Sequence, residues 1–424
     1  MDNFPALIVK NIGLLATPEG KCAKKGKEQG KIKFIEDAFI AVQDGIITGV
    51  GSKEQLKVLE GQRNFCSKAQ IVDADGNLVT PGLVDPHTHL IFSGWRQKEL
   101  FLKLKGMSYL EILKIGGGIL NTVKNTRRAS LEELIQNGMV VLDRMMAHGT
   151  TTCEAKSGYG LTVEDEIKSL EAIQELNKIH PMELVSTFLG AHAVPEEYKG
   201  KTGEYIELIE KEMIPIVARE HLAEFCDVFC EHGVFGVEES RKILECGKNY
   251  GLIPKVHADE MSSLGGANLA AEVGAISADH LIHAGNEGLS AMAENNVVAV
   301  LLPGTSLFLN ESFARARNMI EMGIPVALAT DFNPGSCPTE SMQLVMNLAC
   351  MKYRMMPEEV LTAATLNAAA AIKRSSTIGS IEQGKQADIV IWDAPDLDFI
   401  MYHFGVNLVK TVIKKGKVAV QNGK

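Results

Sequence analysis

From about residue 80 the chain alternates short apolar runs with longer segments whose apolar residues recur at helical spacing. The runs are "GLVDPHTH" (82–89), "GTTTCEAK" (149–156), "ELVSTFLGAH" (183–192), "EFCDVFCE" (224–231), "IPKVHADE" (253–260), "AISADHLI" (275–282), "NVVAVLLPG" (296–304) and "IPVALATD" (324–331). Between them lie amphipathic segments such as "SLEELIQNGMVVLDRMM" (130–146), "TVEDEIKSLEAIQELNKI" (162–179) and "VEESRKILECGKNYG" (237–251). Several begin with Ser or Thr followed by acids, the signature of a capped helix start. Thr162 with Asp165 three residues on is close to a capping box.

Eight strand–helix units in about 270 residues match a (β/α)8 (TIM) barrel in number and length. An open doubly wound sheet alternates in the same way, so the runs alone leave both architectures standing. The polar residues at the run ends separate them. His87 and His89 end the first run, His257 lies near the end of the fifth, His280 sits in the sixth and Asp331 ends the eighth. A closed barrel makes its first and eighth strands neighbours and turns every strand C-terminus to one mouth. An open sheet would spread these groups along an edge, so the barrel is the expected fold.

The two ends of the chain follow a different rhythm. "DAFIAVQDGIITGVG" (37–51) and "AQIVDADGNLV" (69–79) are short period-two pieces punctuated by turns, as are "QADIVIWD" (386–393) and "LVKTVIKKGKVAVQNG" (408–423). Each end is small for an independent domain. The expected organisation is therefore a barrel over 79–375 and a small β-sandwich built from both termini, residues 1–78 and 376–424.

Composition narrows the class of partner. The 424 residues are 46% hydrophobic and 23% charged, ordinary for a globular protein, and the formal net charge is −10. An acidic chain without a basic block is a poor match for nucleic acid or an anionic membrane. The lysine-rich "GKCAKKGKEQGKIK" (20–33) mixes in glycine and is expected as a solvated hairpin or loop. The start "MDNFPALIVKNIG" has an early acid and no long apolar core, so no signal peptide is expected there. No run of 18 apolar residues offers a membrane span. The eight cysteines show no C-x-x-C and no framework spacing, which suits reduced thiols in a cytoplasmic protein; Cys226 and Cys230 are expected to be buried.

The chemistry gathers at the predicted mouth. On a strand, positions i and i+2 share a face, so His87 and His89 project side by side. The pair alone is compatible with two core histidines. With His257 and Asp331 on the same rim it becomes three imidazoles and a carboxylate, a donor set suited to zinc or iron. Glu260, three residues after His257, is placed to act as acid or base, and His280 points to the same mouth if its strand is in register. Asp259 and Asp279 are expected to serve the scaffold around the site. Four loops offer substrate contacts. Arg96 in "FSGWRQKE" is a fork-shaped cation suited to a carboxylate. Tyr159 sits in "KSGYGL", His192 ends "GAHAVP", and Asn333, Gly335 and Ser336 lie in "DFNPGS". "IGGGI" (115–119) lacks a phosphate-binding pattern and is expected as a loop beside the mouth.

"PGLVDPHTH" followed by "HADE", "SADH" and "TDFNPGS" resembles the amidohydrolase superfamily. "HTHLIFSGWR", "TRRAS", "EAKSGYGL", "TFLGAHAVP", "DVFCEHGVF" and "ATDFNPGS" are similar, more narrowly, to the branch that opens the imidazolone ring in histidine degradation. That resemblance implies metal ligation by His87, His89, His257 and Asp331, with one Zn2+ or Fe3+ per subunit. It implies substrate contacts from Arg96, Tyr159, His192, Glu260, Asn333, Gly335 and Ser336, and catalytic positions for Glu260, His280 and Asp331. The expected substrate is 4-imidazolone-5-propanoate, a small cyclic amide with a propionate arm, and the expected assembly is a homodimer. Many amidohydrolases bridge two metals with a carboxylated lysine after the fourth strand. Here that run ends "FCEHG", which leaves one metal as the natural reading, and Lys156 at the end of the second strand is taken as structural. An aminohydrolase of the same superfamily would share the ligands without needing Arg96. A non-enzymatic scaffold would have no reason to keep them all.

Overall fold

The computed structural model describes residues 5–61, 69–107, 111 and 117–422; Cys66 and the first residues of "IGGGI" lie outside them. Two sheets organise the described residues. Leu7–Thr17 (β1), Lys33–Gln43 (β2), Ile46–Ser52 (β3), Gln70–Asp73 (β4) and Leu78–Pro81 (β5) come from the N-terminal part of the chain. The barrel strands follow as Leu83–Asp85 (β6), Thr150–Lys156 (β7), Glu183–Ala191 (β8), Phe225–Cys230 (β9), Ile253–Ala258 (β10), Ser277–His280 (β11), Val298–Leu301 (β12) and Val326–Leu328 (β13). Ile389–Trp392 (β14), Val409–Lys414 (β15) and Lys417–Gln421 (β16) then return to the first sheet.

That first sheet is mixed, in the order β16-β15-β14-β5-β1-β2-β3 with β4 beside β1. The two ends of the chain meet where β14 runs antiparallel to β5, with Val390 opposite Thr80. Trp392 is fully buried there and donates its indole N–H to Thr80 Oγ1 at 2.8 Å. β2 and β3 turn through Asp44 (φ 51°) and Gly45 (φ 78°), the backbone that an Asp-Gly hairpin favours. Alternate residues of these strands, among them Leu7, Val9, Ile389 and Ile391, form a core separate from that of the barrel.

β6 to β13 are joined in sequence order as one sheet, and each neighbouring pair is parallel. The ring is completed beyond the strand ends. Asp331 N donates to His87 O at 3.1 Å, His89 N donates to Phe332 O at 2.9 Å, and Thr88 bridges Phe332. Buried Asp85 ties the same seam, accepting from Thr330 N at 3.1 Å and from Thr330 Oγ1 at 2.5 Å. The histidine pair therefore lies just past its strand, in the segment that closes the barrel.

The amphipathic segments form the outer helices. Leu131–Ala147 is capped by Ser130, which accepts from Glu133 N while Glu133 accepts from Ser130 N. Val163–Ile179 is capped by Thr162, which accepts from Asp165 N at 3.1 Å. The lysine-rich stretch departs in part from the expected solvated loop. It contains a short 3-10 turn, Gly26–Gly30, whose Gln29 is fully buried. Its side-chain amide donates to Val326 O and accepts from Val326 N, both at 3.1 Å, so it pairs with one peptide of β13 as a strand would. Cys226 and Cys230 are fully buried on β9. Among the described residues no helix is long and apolar enough to cross a membrane.

Candidate metal centre

The strand ends bring His87, His89, His257 and Asp331 together below the mouth, each at most 3% exposed. Asp331 Oδ1 lies 3.4 Å from His87 Nε2 and 3.5 Å from His89 Nε2, and the Nε2 atoms of His89 and His257 are 3.4 Å apart. Four ligands about 2.1 Å from one ion stand roughly 3.4 Å from each other in a tetrahedron, so these separations fit a shared metal. His87 Nε2 is buried without a hydrogen-bond partner, as a nitrogen reserved for an ion would be.

The far sides of the rings are held by carboxylates. His87 Nδ1 is 2.6 Å from Asp279 Oδ2, and His257 Nδ1 is 3.0 Å from Asp227 Oδ2. At His87 a proton fixed on Nδ1 by this hydrogen bond leaves the Nε2 lone pair facing the centre, whereas His257 meets Asp227 as a charge pair. Burial, followed by neighbouring positive groups, pushes the pKa values of His87 and His89 well below the ordinary histidine range. They are neutral, as metal ligands must be. Burial opposes the charged form of His257 too, but Asp227 outweighs it and raises the pKa. Asp331 is turned by Thr305, whose hydroxyl donates to Oδ2 at 2.5 Å and leaves Oδ1 toward the histidines. Burial raises its carboxyl to about 6.

His280 is in register at the end of β11, with φ 73°. Its ring centroid lies 5.3 Å from that of His257, and its Nε2 is 3.5 Å from Glu260 Oε2. Glu260 keeps 16% of its side chain open toward solvent; burial first, then Asp331, raises its carboxyl to about 8. His192 stacks on His89 with centroids 4.8 Å apart, and burial lowers its pKa to about 3. Its Nδ1 is 2.9 Å from Gly158 O, so it carries the proton and donates. Tyr159 is buried, with its ring 5.2 Å from that of His192.

Arg96 is fastened to the last loop: its backbone N–H donates to Pro334 O at 3.3 Å. Its guanidinium lies so close over Gly335 that a Cβ there would fall 1.1 Å from Nη2, so an alanine at this position would push the guanidinium aside. Arg96 Nε is buried with no hydrogen-bond partner. Asn333, an expected substrate contact, also shapes the turn with its side chain. Nδ2 donates to Asp331 O and Ser336 Oγ, and Oδ1 accepts from Gly335 N and Ser336 N. In this arrangement Asn333 sets the backbone on which Arg96 rests.

One layer deeper is a network that sequence reasoning missed. Lys156 Nζ is 2.8 Å from both Asp227 Oδ2 and Glu154 Oε2, and Lys255 Nζ is 2.9 Å from Glu154 Oε1, all fully buried. Burial opposes the Lys156 charge, but Asp227, then Glu154 and Asp279, more than offset it and raise its pKa. Asp227 and Asp279 are the residues behind His257 and His87, so Lys156 supports the site rather than the scaffold alone. A signal was present in the chain: Glu154 and Lys156, and Lys255 and His257, are i, i+2 pairs on inward strand faces. Glu166 was also missed. Its buried carboxylate accepts from Gly158 N, Gly160 N and Leu161 N, holding the turn that presents Tyr159.

A barrel whose mouth gathers imidazoles and a carboxylate is the architecture of a metal-dependent hydrolase, and residues 78–419 match the amidohydrolase family. The chain is 55% identical to an imidazolonepropionase of Alkaliphilus oremlandii (strain OhILAs) over 98% of each sequence. It is 51% identical to one of Brevibacillus brevis, again over 98% of each. The chain belongs to the imidazolonepropionases within the amidohydrolase family. The fold is shared more widely: E. coli guanine deaminase superposes with a TM-score of 0.75 at 16% identity, covering 98% of this chain and 99% of that one. An adenosine deaminase from Xanthomonas campestris with bound zinc gives 0.71 at 17%, covering 98% and 93%.

Proposed function

We propose that the chain hydrolyses the ring amide of 4-imidazolone-5-propanoate to N-formimidoyl-L-glutamate, a step of histidine degradation. The observation that carries this reading is one mouth holding both a convergent His/Asp donor set and Arg96, a cation with an unpartnered buried Nε. His87, His89, His257 and Asp331 would hold one Zn2+ or Fe3+ ion per subunit, which would supply Lewis acidity toward the ring carbonyl and an attacking water. Arg96 holds the propionate by charge-assisted hydrogen bonds, so local charge rather than the net charge of −10 governs anion binding. Tyr159 and His192 bound the ring, with Gly335 and Ser336 lining the far side.

Asp331 or His280 takes the proton of the attacking water, and His280 stabilises the oxygen charge that develops on the carbonyl. Glu260, with its pKa raised to about 8, holds a proton at neutral pH and delivers it to the ring nitrogen as the C–N bond breaks. The hydroxyl ends on the former carbonyl carbon, producing the glutamate α-carboxylate. A cytoplasmic homodimer completes the reading. The family resemblance supports both parts, and the exposed apolar side chains of Met356, Tyr402, Phe404 and Val406 suit a contact between subunits.

Incubation with imidazolone propionate is expected to bleach the ring chromophore. No bleaching by metal-replete protein, together with ammonia release from a nucleobase, would replace this reading with the deaminase one. Arg96→Ala is expected to raise KM about tenfold to a hundredfold with kcat nearly unchanged, the loss of one charged hydrogen-bonding group. Gly335→Ala, which displaces the guanidinium, should move KM in the same direction. An unchanged KM in both variants would remove the carboxylate clamp.

A further inference from the structure

The fourth barrel strand ends without the lysine that bridges two metals elsewhere in the superfamily, but it does end in a charge. Glu231 follows β9 directly and is 1% exposed. Among the described residues no lysine or arginine lies within ion-pair distance of it, so its carboxylate is satisfied by neutral donors alone. Oε2 accepts from Met261 N at 2.8 Å and from Ser262 N at 3.2 Å. Oε1 accepts from His232 N at 2.7 Å and from the Ser262 hydroxyl. Three of these four donors belong to the loop after β10, the loop that carries Glu260. Burying a carboxylate without a cation is costly, and it persists only where hydrogen bonds offset the lost hydration.

The other half of that loop is fastened separately. Asp259 Oδ1 accepts from Leu264 N, Gly265 N and Gly266 N at 2.8–3.1 Å, and Oδ2 accepts from Ala267 N at 2.9 Å. Asp259 O in turn accepts from His283 N at 2.9 Å, tying the loop to the segment that follows His280. Glu260 is the residue between the two clamps. Asp259 fixes where the loop leaves and rejoins the barrel, whereas Glu231 grips the two peptides immediately after Glu260. Its hold decides where the Glu260 carboxylate sits relative to His280.

We infer that Glu231 is a positioning residue for the hydrolysis: a carboxylate template that sets Glu260 against His280 and makes no contact with metal or substrate itself. The inference rests on the reading of Glu260 as the proton donor. Glu231→Gln keeps the shape but turns one acceptor into a donor, which must face either the Met261 and Ser262 amides or His232 and the Ser262 hydroxyl. Misplacing a reacting group by about 1 Å costs on the order of a hundredfold.

The test is a double-mutant cycle on the metal-loaded enzyme. Glu231→Gln is expected to lower kcat about tenfold to a hundredfold with KM within about twofold and bound metal unchanged. In a Glu260→Gln background the same change should cost nothing further, because its effect passes through Glu260. Ser262→Ala, at a half-buried position, should lower kcat a few-fold with the same non-additivity. Equal losses in both backgrounds, or an unchanged kcat, would overturn the inference. Should Glu231→Gln not fold, Ser262→Ala decides by the same criteria. Wild-type kcat in Glu260→Gln alone would instead overturn the proton-donor reading, before any Glu231 variant is made.

Discussion

His87→Ala protein, purified and dialysed, is expected to retain no stoichiometric metal and to lose kcat/KM by roughly three orders of magnitude or more, since Lewis acidity contributes several kcal/mol to such reactions. The size of the effect follows from how many jobs His87 performs. Its Nε2 presents an unpartnered lone pair 3.4 Å from the Asp331 oxygen, its Nδ1 is fixed by Asp279, and its backbone oxygen accepts from Asp331 N at the barrel seam. Alanine keeps the backbone bond, so the fold closes while the site loses one wall. Asp279→Asn should be milder, about tenfold to a hundredfold in metal affinity, because His87 keeps its own Nε2 and loses only the charge of the group behind its ring, a charge that also faces Lys156 and Lys255. Metal analysis of the two proteins is decisive: one equivalent retained by His87→Ala means the ion is held elsewhere.

Lys156→Met is expected to lower the free energy of unfolding by about 3–5 kcal/mol, the usual result of removing one partner from a buried ionic cluster. Methionine matches the lysine stem but leaves Glu154 and Asp227 facing each other without the ammonium 2.8 Å from both. Lys255 contacts Glu154 Oε1 but lies within ion-pair range of neither Asp227 oxygen, so it cannot take over both roles. Urea unfolding measures the change. A loss below about 1 kcal/mol would show that the carboxylates are relieved in another way, by protonation or by water. The same variant should also bind metal more weakly, since Asp227 is the group behind His257.

Most of the architecture was legible in the chain because a parallel barrel imposes a repeating pattern. All eight runs contain barrel strands, and the capping residues Ser130 and Thr162 begin their helices as their spacing implies. The candidate ligands were legible because histidines at strand ends interrupt otherwise apolar runs. What escaped were groups whose importance lies in a partner far along the chain. Lys156 reads as a strand-end lysine until folding sets it against Asp227, 71 residues away. Gln29 reads as one polar residue in a lysine-rich loop, and only the tertiary fold sets it against β13. Glu231 and Glu166 are acids at element ends, where solvated carboxylates are common; their burial by backbone N–H groups is a property of loop shape, which no local periodicity encodes.

The pairing of β5 with β14 has a consequence for synthesis. β5 leaves the ribosome early, yet the strand that covers its outer edge is made roughly 300 residues later, about 15–60 s at ordinary elongation rates. For that interval the nascent chain carries an open strand edge, a template for pairing with other chains. Between the two strands the ribosome delivers the whole barrel, which can fold and shelter its own charged interior first. The vulnerable period of this protein therefore lies before β14 emerges, when the barrel is complete and the clasp around it is not.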